Sequence, residues 1–156
     1  MNKFILIFLS FLVAGCQANE PLIDPTRHDF VNVSFDVVQK QLVIDAKLPD
    51  NMQMLVSQWF DHKIKINGFD GEMKFTIAEY IEKISSISDG KRVDISLSFN
   101  VVLNKPNLSQ TKIIKGSVSS YGALTGKFSL AEFDTLIQNT QSDLVLRLSR
   151  DLKSKI

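Results

Sequence analysis

The first sixteen residues constrain this chain most, because they predict that its start never enters the fold. Lys3 gives a positive opening, Phe4 to Val13 form an apolar run interrupted only by Ser10, and Val13-Ala14-Gly15-Cys16 follow as a lipobox. Two small residues before a cysteine suit a peptidase cleft, and the thiol can accept a diacylglycerol. The apolar run is too short to span a bilayer and lacks stop-transfer flanks. The pattern predicts a lipoprotein signal peptide over 1–15, cleavage between Gly15 and Cys16, and lipidation of Cys16. Cys16 is the only cysteine of the 156 residues, so no disulfide can form within the chain. A cysteine carrying two or more acyl chains anchors stably, where a single chain holds only marginally.

Residues 16–29 read as the lipidated cysteine and its tether. Gln17 to Arg27 are mostly polar, hold Pro21 and Pro25, and show no periodicity. Proline keeps such a segment extended, and it would reach roughly 30 Å at full stretch. A non-aspartate residue after the lipidated cysteine, here Gln17, favours the periplasmic face of the outer membrane in a two-membrane bacterium. With Lys3 removed, basic and acidic side chains balance at 17 each. That balance points away from nucleic acid and from anionic surfaces as partners.

Residues 30–156 are expected to form one domain. Phe30 to Val37 alternate with period two, as a half-buried strand does, and Leu42-Val43-Ile44 resume as a second short strand or a continuation after a bulge. Pro49-Asp50 open a helix with Asp50 as its cap, and Met52, Leu55, Val56, Trp59, Lys63 and Ile66 follow at steps of three and four. The helix is predicted to run to about Ile66 and close at Asn67-Gly68. Lys63-Ile64-Lys65-Ile66 also alternate, so 63–67 has a rival reading as strand and hairpin.

Met73, Phe75 and Ile77 then share one strand face, and the alternation slips at Ala78, which a bulge or a turn of helix would explain. Asp89-Gly90 mark a hairpin. Val93, Ile95, Leu97, Phe99, Val101 and Leu103 follow on one face, with Asp94, Ser96, Ser98 and Asn100 on the other. A core on one side and water on the other produces this pattern. Lys105-Pro106-Asn107 turn the chain into a strand over Lys112 to Ser120, while Ser117 to Gly122 look like an exposed loop. Ser129-Leu130-Ala131-Glu132 form a capping box with Phe128 and Phe133 as its staple, opening a helix faced by Phe133, Ile137, Leu144, Leu148 and Leu152. The expected architecture is α+β, β-α-β-β-β-α: an antiparallel sheet of about four strands with two helices on one face.

Chemistry is sparse. His28 lies in the tether and His62 on the first helix, and no spacing suits a metal. Gly68-Phe69-Asp70-Gly71-Glu72 lack the lysine and serine of a phosphate loop and the alternating ligands of a calcium loop. No nucleophile, acid or base constellation is visible, so neither catalysis nor a cofactor is expected. Trp59 and Tyr121 remain as contacts for a partner or ligand, although a tryptophan on an apolar helix face belongs more often to the core.

The lipobox, the strand, the Trp59 helix, the Gly68-x-x-Gly71 step, the hairpin and the long C-terminal helix together resemble small alphaproteobacterial envelope lipoproteins of unknown function. More loosely, the chain is similar to the auxiliary lipoproteins of ABC-type envelope transporters and to the lipopolysaccharide-assembly lipoprotein. The resemblance implies a non-catalytic accessory or assembly factor anchored in the periplasm, docking on an envelope protein. The alternative is a carrier holding a lipid or other apolar ligand between Phe75, Phe99, Phe133 and Ile137.

Overall fold

Six strands and two helices make up the computed structural model, which describes residues 30–156. The signal peptide, Cys16 and the tether lie outside the described residues. In chain order the elements are β1 (Val33–Phe35), β2 (Gln39–Ile44), α1 (Asp50–Lys63), β3 (Ile64–Ile66), β4 (Glu72–Ile87), β5 (Gly90–Lys105), β6 (Gln110–Thr125) and α2 (Leu130–Ser154). The class is α+β, with a mostly antiparallel four-stranded sheet in the order β2-β4-β5-β6 and a separate β1-β3 pair.

The strongest alternation in the sequence builds the centre. Val93, Ile95, Leu97, Phe99 and Val101 of β5 all face inward and are almost fully buried. Met73, Phe75 and Ile77 of β4 join them on one side, Ile114 and Val118 of β6 on the other. The slip at Ala78 is a bulge: register shifts between Ile77 and Glu79, and β4 continues without a break to Ile87.

Both helices cover the inner face. Leu144, Val145, Leu148 and Leu152 of α2 are buried beneath β5 and β6, and the capping box forms as the sequence predicts. Ser129 Oγ accepts from Glu132 N at 3.2 Å, and the Glu132 carboxylate accepts from Ser129 N at 2.6 Å. Phe128 and Phe133 lie 6.1 Å apart as the staple. In α1, Trp59 meets Phe75 edge-on at 5.5 Å, and Phe75 stacks on Phe99 at 5.5 Å, joining helix and sheet through three rings.

Several expectations are corrected. The cap of α1 is Pro49, which offers no side-chain hydrogen bond; Asp50 is the first helical residue, and in the first turn Asn51 Oδ1 accepts from Met52 N at 2.9 Å. The helix stops at Lys63, not Ile66, because Ile64–Ile66 form β3, which pairs in parallel with Val33–Phe35 rather than in a hairpin. The alternating Lys-Ile-Lys-Ile thus follows its strand pattern once β1 offers a partner. The 30–37 strand lies outside the main sheet; the sheet's first strand is β2, and it pairs in parallel with β4. Ser117 to Gly122 are not a loop but the middle of β6.

Two devices hold this arrangement. The Lys40 ammonium donates to the carbonyls of Phe60, Asp61 and Ile64 at 2.9, 3.1 and 2.7 Å, and lies 4.9 Å from the Phe60 ring centre. It adds a donor at the carbonyls where α1 passes into β3, the Phe60 carbonyl also accepting from Ile64 N, and positive charge suits the helix dipole there. Burial lowers the pKa of Lys40, and the charge of Asp61 opposes that shift. The second device is a backbone stitch: Asn67 N donates to Phe35 O, Gly68 N to Val37 O, and Val38 N to Gly71 O, each at 3.1 Å. Gly68 is packed so closely that a Cβ there would overlap the Val37 nitrogen and the Asp36 carbonyl carbon.

The Gly68→Ala substitution is therefore expected to cost about 3 kcal/mol, at the upper end for a point change. Gly126→Ala meets open space and only the strain of a left-handed backbone, about 1–2 kcal/mol. Urea denaturation followed by Trp59 emission separates the two, and equal losses would contradict the close approach.

Candidate interaction surface

The outer face of the sheet carries no helix among the described residues, and its surface follows directly from strand register. At the end nearest the Asp89-Gly90 hairpin, Lys83, Asp94 and Tyr121 form one row across β4, β5 and β6. Ser85, Arg92 and Ala123 form the row above, and Ile81, Ser96 and Ser119 the row below. Arg92 donates to Asp94 from Nε at 2.9 Å and from a terminal nitrogen at 2.6 Å. Its guanidinium lies 4.5 Å from the centre of the Tyr121 ring. The hydrogen bond from Arg92 holds the Asp94 carboxyl below its ordinary value, and the same bond raises Arg92.

This cluster lies on the surface. Tyr121 is 67% exposed and Ile81 50%. A tyrosine stacked by arginine, with an aliphatic side chain one row away, has the composition of a protein-contact hot spot. Towards the middle of the face, Ser96, Ser98, Ser117 and Ser119 leave the surface flat and small.

The sheet also has open edges. Among the described residues, β6 has no strand partner on its far side along its whole length, and β4 has none beyond Ile77, where β2 ends. Such edges offer unpaired backbone groups to an incoming strand. Beneath the end of β6 lies a shallow, mainly apolar groove of about 340 Å³, lined by Leu124, Ala131, Glu132, Thr135, Leu136 and Asn139. α2 is fixed to β6 by the Ser120 hydroxyl, which donates to Asp143 at 2.7 Å, and Arg147, one turn further along α2, donates to the same carboxylate at 2.6 Å. Burial works to raise the Asp143 pKa, but these donors outweigh it and hold the carboxyl low.

A polar cluster that the sequence did not reveal lies under the sheet. Tyr80 donates to Glu82 at 2.6 Å, Gln141 Nε2 lies 3.3 Å from the same carboxylate, and Asn51 donates to Gln141 Oε1 at 2.7 Å. Burial, followed by the bond to Glu82, drives the Tyr80 phenol well above its usual pKa. A polar depression of about 290 Å³ opens beside it, between Pro49, Glu82, Asp134, Ile137 and Gln138. Every member of the cluster is partnered within it, so it joins β4, α1 and α2 as structure. Only its assembly could have marked it, because Asn51, Tyr80 and Gln141 come from three separate elements.

The two contact residues named from the sequence separate cleanly. Tyr121 lies on the open face; Trp59 is fully buried against Phe75 and cannot reach a partner. Gly15, Cys16 and His28 lie outside the described residues. His62 sits exposed in the last turn of α1, away from the Tyr121 cluster. No three His, Cys, Asp or Glu side chains converge to hold a metal among the described residues. No helix among them is long and apolar enough to cross a membrane. Of the proposed carrier lining, Phe75 and Phe99 fill the core against each other, while Phe133 and Ile137 are only partly buried at its edge.

No protein-family model matches the sequence, and neither does any curated protein. Among solved structures, a minor lipoprotein from Acinetobacter baumannii superposes with a TM-score of 0.52 at 8% identity, over 74% of this chain and 92% of that one. The two share a fold. A candidate lipoprotein of Caulobacter crescentus CB15 aligns with a TM-score of 0.42 at 12% identity, over 72% of this chain and 85% of that one. Lipoprotein GNA1162 from Neisseria meningitidis gives 0.35 at 12% identity, over 75% and 98%. These two alignments are too loose to bear on the site.

Two outcomes follow. Trp59→Ala should cost about 3–5 kcal/mol of stability, whereas Tyr121→Ala should leave thermal unfolding nearly unchanged. Because Asp143 is held below its ordinary value of 3.8, the folded state binds fewer protons there than the unfolded one. Its contribution is present above that value and is lost as pH falls through the lowered folded one. Asp143→Asn should flatten the fall in stability across that acidic window; an unchanged slope would remove the carboxylate from the account.

Proposed function

We propose that this chain is a lipid-anchored envelope protein, held to a bacterial membrane through Cys16, that acts without catalysis by docking a protein partner. The docking surface is the open sheet face around Tyr121, Arg92 and Ile81. The observation that carries this reading is the exposure of that cluster on a face no other described element covers, beside an unpaired strand edge. The lipobox supports the anchor, and Gln17 supports the periplasmic face of the outer membrane. The likeness read from the sequence to transporter-auxiliary and lipopolysaccharide-assembly lipoproteins suggests the class of partner, a multi-subunit envelope assembly. Fold alone does not carry function, so that part rests on analogy. Against the carrier reading stands the packing of Phe75 on Phe99, which occupies the space that an acyl chain would need.

Crosslinking in cells, gentle extraction and native mass spectrometry of the lipidated protein should give a discrete protein adduct. Tyr121→Ala or Arg92→Glu should weaken it by about tenfold or more without unfolding the chain. Cys16→Ser should release the chain from the lipid-anchored fraction. A monomer carrying a stoichiometric lipid beyond its own anchor would overturn the docking reading in favour of the carrier.

A further inference from the structure

The end of the sheet opposite the Asp89-Gly90 hairpin is formed by two adjacent loops, 67–71 and 105–109. Asn107 N donates to Asp70 Oδ2 at 3.3 Å, and the Lys105 ammonium pairs with Asp36 beside Gly68. Gly71, at φ 83°, is pressed against the Asn104 carbonyl, where a side chain would clash. The single turn Pro106–Leu108 closes through Ser109, which adopts φ 51° and donates to the Pro106 carbonyl at 3.0 Å. The loops are thus held by their own backbones and need no apolar tip to be stable.

Both nevertheless present one. Phe69 is fully exposed and Leu108 is 58% exposed. Val38, Ile66, Ile113 and Ile156 are exposed at the same end, making six of the twelve large apolar side chains exposed among the described residues. A phenylalanine wholly in water forgoes about 1.5–3 kcal/mol of burial. Charges of both signs surround these residues, with Asp36, Asp70, Glu72 and Asp151 against Lys65, Lys74, Lys105, Lys112 and Lys155, so this end carries only a small basic excess.

The position of the chain's entry indicates what covers these residues. Val31 is fixed by Ser149, which donates to its carbonyl at 2.8 Å. From Val31 to Asp36, at this end, is at most about 17 Å of extended chain, whereas a 16-residue strand such as β5 measures about 50 Å. Residues 17–29 reach about 40 Å at full stretch. A flexible tether of this length spans only about 20 Å on average, so an anchor at Cys16 favours this end at the bilayer, whereas the hairpin end would need the tether almost fully stretched.

We infer that Phe69 and Leu108 insert into the interfacial region of the membrane that holds the anchor, setting the domain upright with the Tyr121 face and the hairpin directed away. The inference rests on the anchor proposed above. Two side chains bind a bilayer only weakly alone; the tether makes their contact effective by raising local concentration.

The test uses the lipidated full chain in vesicles of phosphatidylethanolamine and phosphatidylglycerol, with and without brominated acyl chains. Phe69→Trp and Leu108→Trp, at exposed positions that should tolerate the change, are compared with the wild type, whose Trp59 is buried. The expected result is an emission loss of about twofold on bromination for each variant, unaltered by high salt, with Tyr121→Trp unquenched. Co-floating protein in which Phe69→Trp stays unquenched would overturn the inference while leaving the anchor intact. Equal quenching at positions 69 and 121 would overturn the upright orientation. Protein that fails to float with vesicles would overturn both anchor and insertion.

Discussion

The approach of Gly68 to the Asp36–Val37 backbone is the constraint on which the rest of this structure depends. Two parallel strand pairs, β1-β3 and β2-β4, turn together at that point, and the chain crosses through α1 between them. Any side chain at position 68 would separate the pairs. Held together, they carry Val33, Phe35 and Val37 into the core beside α1 and leave the 67–71 loop projecting next to 105–109. The same contact therefore closes the core and forms the end that we assign to the membrane.

From that point the protein separates its tasks by face and by end. The inner face of the sheet is committed to two helices and a stack of aromatic rings. The outer face stays polar and flat near its middle and becomes apolar towards its ends, at Ile81 and Tyr121 on the hairpin side and at Ile113 on the other. Arg92, held by Asp94, covers one side of the Tyr121 ring. That pairing fixes a side chain that would otherwise lose entropy on binding, which favours a preformed contact surface.

Much of the fold was legible in the sequence where local pattern determines structure. The unbroken alternation from Val93 to Leu103 and the capping box at Ser129 each specify an element without reference to the rest of the chain. Pairing was less legible. Leu42-Val43-Ile44 carries no sign that its partner lies thirty residues on and runs parallel, because α1 sets that partner. Ile64–Ile66 could continue a helix or form a strand, and only β1 decides between them. For the site, Tyr121 was visible as an aromatic residue in a polar setting, but its strand and its stacking by Arg92 follow from register. Trp59 was equally visible and turned out to be core, since helical spacing cannot show how deep a side chain lies. The open edge of β6 and the Tyr80–Glu82–Gln141 cluster had no local signature, because both are products of strand order.

The central claim is that one end meets the membrane and the other meets a partner. Amide hydrogen exchange on the lipidated protein in its native envelope, compared with the same protein in detergent-free solution after anchor release, tests it most directly. The account predicts slowed exchange at two separate places, the 67–71 and 106–109 loops and the upper strands around 81 and 121, with the outward side of the helices unchanged. Slowed exchange across α1 and α2, with both ends of the sheet unaffected, would contradict it.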